Sequence, residues 1–211
     1  MQELFWPRLG ALCGLLYVVL LFGFTSIGSE AHFVIIVELI GMLLFLPFLG
    51  YLYSILRQAE GEAGWLSMTA FGAGLMDLTI KLGSIAPSFA AQQPGLSPQL
   101  HDALHKMNSV AFIVTMLPLG VMMAAIAVVA LKTRVLPIWL GILAALTAPA
   151  CLVNGMFLDA EFGPAFLLFL LWVTLASIVL TLRAGRTGAK ATPRRQDAEG
   201  HSSREIGTPA S

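Results

Sequence analysis

SVAFIVTMLPLGVMMAAIAVVAL (Ser109–Leu131) and VLPIWLGILAALTAPACLVNGMF (Val135–Phe157) are separated by only Lys132, Thr133 and Arg134. A bilayer core about 30 Å thick needs about 20 apolar residues in helical form, and each run exceeds that length. Backbone groups in lipid have no water to bond, so such runs must satisfy their hydrogen bonds internally as helices. The two runs therefore read as a hairpin of membrane spans around a basic turn.

Working outward, the same pattern recurs. Apolar runs cover Leu9–Ile27, Phe33–Leu56, Trp65–Ala86 and Pro164–Leu182, which makes six in all. The residues between them form short turns, a longer loop from Pro87 to Asn108, and a polar tail. The alternating pattern of an outer-membrane strand is absent. Composition agrees: 57% of residues are hydrophobic and only 11% are charged, against roughly a quarter charged in soluble domains. The 12 Lys and Arg balance the 12 Asp and Glu, which excludes a disordered chain and a nucleic-acid binder, both of which carry excess charge. Two cysteines cannot make a disulfide framework.

Cation placement gives the orientation, because cytoplasmic loops carry the excess of Lys and Arg. With the N-terminus inside, Arg8, Arg57, Lys132, Arg134, Arg183, Arg186, Lys190, Arg194, Arg195 and Arg204 are cytoplasmic. Lys106 alone falls in an outer loop, and Lys81 lies within a span. Trp6, Trp65 and Trp139 open the first, third and fifth runs, so one inner interface receives all three, as an aromatic belt requires. A cleaved signal peptide is the alternative for the first run, whose core Leu9–Phe24 precedes small Ser26 and Gly28. Glu3 beside Arg8 weakens the positive charge that a signal needs, so the run is read as a span. The expected fold is all-α: a polytopic bundle of six transmembrane helices over residues 1–183, both termini cytoplasmic, followed by a disordered tail over 184–211.

Lipid offers no hydrophobic drive between helices, so contact depends on small residues. Gly10 and Gly14 have the GxxxG spacing, and Ala70, Gly74, Asp77, Lys81 and Ser84 make one stripe that should face the interior. Pro47, Pro118 and Pro149 fall inside runs and should kink them. Cys13 and Cys151 sit at different depths, too far apart for a disulfide, and read as apolar fillers. Asn154 should bond a neighbouring helix.

Charges within spans are costly and normally have partners or a function. Asp77 and Lys81 are i, i+4 on the third run. Counting 1.5 Å per residue, Lys81 lies about 24 Å, Glu38 about 22 Å and Asp77 about 18 Å from the inner boundary. Adjacent antiparallel helices bring Glu38 level with Lys81, so a Glu38–Asp77–Lys81 cluster is expected in the outer half. It reads equally as an ion pair that pins two helices and as a proton relay or polar substrate site.

In the outer loop, Ser97 should cap a helix with Pro98 at its first position. His101, His105 and Asn108 then share a face, with Asp102 beside them. A His pair at i, i+4 suits zinc, which wants a third ligand that His32 or Glu30 in the first outer loop, or Asp159 or Glu161 in the last, can supply from the same side. The metalloprotease signature is missing, as are a phosphate loop, CxxC and GxSxG. No cofactor is therefore expected, and zinc is the alternative.

The stretch LPLGVMMAAIAVVALKTRVLPIWLGILAAL, Leu117 to Leu146, ends one helix, makes a basic turn and starts the next with Leu-Pro-x-Trp-Leu-Gly. It resembles a group of bacterial six-helix membrane proteins defined by a domain of unknown function. Ile138 stands where that group usually has Arg. The resemblance implies a bacterial inner-membrane location and six helices, and it carries no reaction with it. The expected role is a non-catalytic accessory or sensor component whose partners are the lipid bilayer and a second copy or another membrane protein. The alternatives are a small transporter using Glu38, Asp77 and Lys81, and an intramembrane metal-dependent hydrolase.

Overall fold

The computed structural model describes residues 2–23, 31–157 and 163–189. They form α1 (Gln2–Gly23), α2 (Ala31–Glu60), α3 (Trp65–Ala91), α4 (Pro98–Thr133), α5 (Ile138–Phe157) and α6 (Pro164–Ala189), with no strand among the described residues. Each helix packs on its neighbours in sequence, α1 closes against α6, and α2 also reaches α4. The helices thus form a closed ring.

Local chemistry sets the helix ends. The Ser97 hydroxyl accepts the Leu100 N–H at 3.3 Å, with Pro98 in the first turn of α4. Arg134 ends α4 in the left-handed region, φ 55°, and its N–H bonds the Ala130 carbonyl. Arg183 of α6 donates to the Val135 carbonyl and ties the last helix to that turn. At the α2–α3 turn, Gly64 precedes α3 with φ 53° and has no side chain to cap it. Glu60 does so instead: its carboxylate accepts the Leu66 N–H at 3.0 Å, the Ser67 N–H at 2.8 Å and the Ser67 hydroxyl. The groups orphaned at a helix start are thereby satisfied.

The third helix is longer than the sequence suggests. It continues through Pro87 to Ala91, and α4 starts at Pro98, so the expected loop from Pro87 to Asn108 shrinks to residues 92–97. A helical proline crowds the carbonyl four residues back. Here that residue is Gly83, where even an added Cβ would meet nothing within 4 Å, so the backbone has room to adjust. At the other end, α6 runs to Ala189, and residues 190–211 lie outside the described residues.

The burial pattern is that of a protein turned toward lipid. Leu9, Leu12, Leu16 and Val19 are exposed along α1, as are Phe33, Ile36, Ile40 and Leu43 along α2 and Leu167, Leu171, Ile178 and Leu182 along α6. Soluble monomers rarely expose apolar patches larger than a few hundred Å². The buried polar residues include Ser67, Asp77, Lys81, Thr115, Thr147, Asn154 and Ser177. Among the described residues, four segments are long and apolar enough to cross a membrane: Ile35–Glu60, Pro98–Thr133, Ile138–Phe157 and Pro164–Arg183. The apolar part of α1, Leu9–Leu21, is shorter. The 27-residue α3 has the length, and Asp77, Lys81 and its Gly, Ser and Thr residues lower its hydropathy. The chain is therefore a helical protein with the character of a membrane-embedded one.

Glycine brings the ring together. A Cβ on Gly10 would lie 2.7 Å from Tyr51 Cβ on α2, and one on Gly14 would strike Phe48 on α2 and the Ser177 hydroxyl on α6. A Cβ on Gly74 would lie 2.8 Å from Leu49. The main core gathers Phe45, Phe48, Phe169 and Trp172, whose indole N–H donates to the Leu140 carbonyl at 3.0 Å. A second, smaller apolar cluster joins α2 and α3 alone: Ile35 and Met42 against Leu78 and Ile85, with Leu39, Leu82 and Phe89 at its margin.

Candidate functional site: a charged cluster inside the ring

The stripe on α3 is directed into the bundle. Ala70, Gly74, Asp77 and Lys81 are buried, and Ser84 is half-buried. Asp77 and Lys81 retain 3% and 5% of their surface, so whatever compensates their charge must come from protein. Lys81 Nζ lies 4.6 Å from the centre of the Phe166 ring on α6 and 5.3 Å from that of Phe112 on α4. The two rings meet edge to face, their centres 5.0 Å apart. A desolvated cation over an aromatic face gains about 2 kcal/mol or more. Around Lys81 also stand Tyr17 on α1, whose hydroxyl is a hydrogen-bond partner of the ammonium, Glu38 on α2, Asp77 on its own helix and Cys151 on α5. Every helix of the ring contributes a residue around Lys81.

Asp77 is held differently. The Thr115 hydroxyl is a hydrogen-bond partner of its carboxylate and also lies 2.7 Å from the Phe112 carbonyl, so one proton serves two acceptors. Asp77 Oδ1 has no hydrogen-bond partner among the described residues. Nor does an N–O contact of 4 Å or less join Lys81 to Asp77 or Glu38. Glu38 is half-buried. Its neighbours Ile35 and Met42 belong to the smaller apolar cluster, as do Leu78 and Ile85 on either side of Lys81 along α3. The charged group thus lies at the seam between the two cores.

Glu38, Asp77 and Lys81 come from the sequence reading, and the geometry adds five residues to them: Tyr17, Phe112, Thr115, Cys151 and Phe166. These look like ordinary core residues in sequence, since nothing in a single helix marks which neighbour will face a charge on another. Cys151 is buried and free, and its thiol lies 3.9 Å from the Ala165 carbonyl. Asn154 is also buried, and its side-chain oxygen would sit 2.6 Å from a Cβ at Gly163, so the two residues pack directly.

The histidine pair is at the surface. His101 and His105 are exposed at the start of α4, ring centres 4.5 Å apart, and His101 Nδ1 lies 3.9 Å from Asp102 Oδ1. The His32 side chain lies outside the described residues, as do Glu30, Asp159 and Glu161. Among the described residues no three His, Cys, Asp or Glu side chains converge on a common point suited to a metal.

No family model, curated protein or solved structure matches the chain. The functional reading therefore rests on the site alone.

Proposed function

We propose that the chain is a bacterial inner-membrane protein of six spans, both termini cytoplasmic, serving as a non-catalytic sensor or accessory component. The outward apolar stripe on α1, the asymmetry of the cations and the resemblance of the Leu117–Leu146 hairpin support the six-span topology. The observation that carries the non-catalytic reading is the burial of Asp77 and Lys81 among residues from all six helices. A charge set with so little exposed surface suits holding and reporting a helix arrangement better than turning over a substrate. Its partners are the bilayer and, for signalling, a second copy or another membrane protein. Reporter fusions after Ser211 and in the 92–97 turn should place them on opposite sides. Reconstituted vesicles should show no sustained proton or solute flux above protein-free vesicles.

A second reading, a small transporter, is favoured by Asp77 Oδ1, a buried acceptor with no donor among the described residues. Transporter sites keep polar groups unsatisfied until cargo arrives. A flux abolished by Lys81→Met would establish this reading in place of the first. The hydrolase needs a metal, and its test is metal content: a full equivalent of zinc, lost on His101→Ala with His105→Ala, would revive it.

A further inference from the structure

We propose that Asp77 is a proton-binding site, its carboxyl protonated inside the ring beside Lys81. One cation, Lys81, faces two acids, Glu38 and Asp77, and one bound proton makes the set neutral. Burial decides where that proton goes. Glu38 is half-buried and can be solvated, whereas Asp77 retains 3% of its surface. Asp77 Oδ1 has no partner among the described residues, Thr115 offers one proton to two acceptors, the Asp77 carboxylate and the Phe112 carbonyl, and Lys81 stays beyond ion-pair distance against two aromatic rings. A buried carboxylate so poorly compensated neutralises rather than remain charged.

The groups facing the site from each element are Tyr17 on α1, Glu38 on α2, Lys81 on α3 itself, Thr115 on α4 and Cys151 on α5. From α6 comes Phe166, which does not titrate. Lys81 Nζ lies more than 4 Å from the carboxylate oxygens of either acid, so it supplies the neighbouring positive charge and no direct proton path. The identity of the proton holder does not depend on the proposed orientation.

Infrared spectroscopy of the full chain in vesicles of phosphatidylethanolamine and phosphatidylglycerol tests this. At neutral pH the wild type should show the C=O stretch of a protonated carboxyl, and Asp77→Asn should remove it. Asp77→Glu should keep the band at a shifted frequency, which separates the assignment from a folding defect. Glu38→Gln should leave the band in place. A wild type without the band, or a band that survives Asp77→Asn, overturns the proposal. So does a band removed by Glu38→Gln, which would make Glu38 the holder. The reporter fusions decide orientation separately, so failure of the topology and failure of the proton site are distinguishable.

Discussion

Glu60 and Asp77 are both acids of the α2–α3 pair, and the fold treats them in opposite ways. Glu60, at the turn, accepts three hydrogen bonds and starts a helix. Asp77, in the middle of that helix, is almost wholly buried with one oxygen unpartnered. An acid satisfied by backbone donors is part of the scaffold. An acid left short of donors beside a cation is where the molecule has kept an option open. The comparison can be broken from either end.

The largest effect should come from Lys81→Met. It leaves the Glu38 carboxylate without its cation, and removing one partner of a buried charge set costs about 3–5 kcal/mol. Unfolding in detergent should report the loss, and adding Glu38→Leu should recover a substantial part of it. At the turn, Gly64→Ala should cost about 1–2 kcal/mol, because the left-handed conformation at φ 53° penalises any Cβ. That Cβ would also strike the Arg57 guanidinium. Glu60→Ala should cost about 1 kcal/mol in the same assay, the usual loss when a helix cap is removed. Asp77→Asn should have the smallest effect on stability, less than about 1 kcal/mol, since it exchanges one uncharged, poorly bonded group for another. A loss there as large as that of Lys81→Met would mean that Asp77 acts as a charged structural anchor and would erase the contrast with Glu60.

The helices were legible because an apolar run long enough for a bilayer is visible in one dimension. The Ser97–Pro98 start and the GxxxG contact of α1 were legible for a similar reason, since each is a local pattern with a local cause. Equal depth on antiparallel helices groups Glu38 with Lys81, and the structure keeps Glu38 half-buried with no N–O contact of 4 Å or less to Lys81. The continuation through Pro87 was hidden, because the space that tolerates the proline depends on what does not pack against Gly83. Glu60 as a cap was hidden too, since it acts across a turn rather than from the usual flanking position. Tyr17, Thr115, Cys151 and Phe166 could not be assigned to the cluster from sequence, because helical periodicity says which face is inward but not which residues meet there.

The contact of α1 with α6 has a consequence for assembly. Gly14 lies against Ser177, and no other pair of packed helices is so widely separated along the chain. Domains form from the N-terminus as the ribosome proceeds, while long-range closures are the slow ones. Five helices can pair in order, yet the ring stays open and Lys81 lacks Phe166 until the sixth arrives. A chain stalled before that point would leave Phe112 as the one ring over the Lys81 ammonium and Gly14 without Ser177, a marker that distinguishes an unfinished molecule from a finished one.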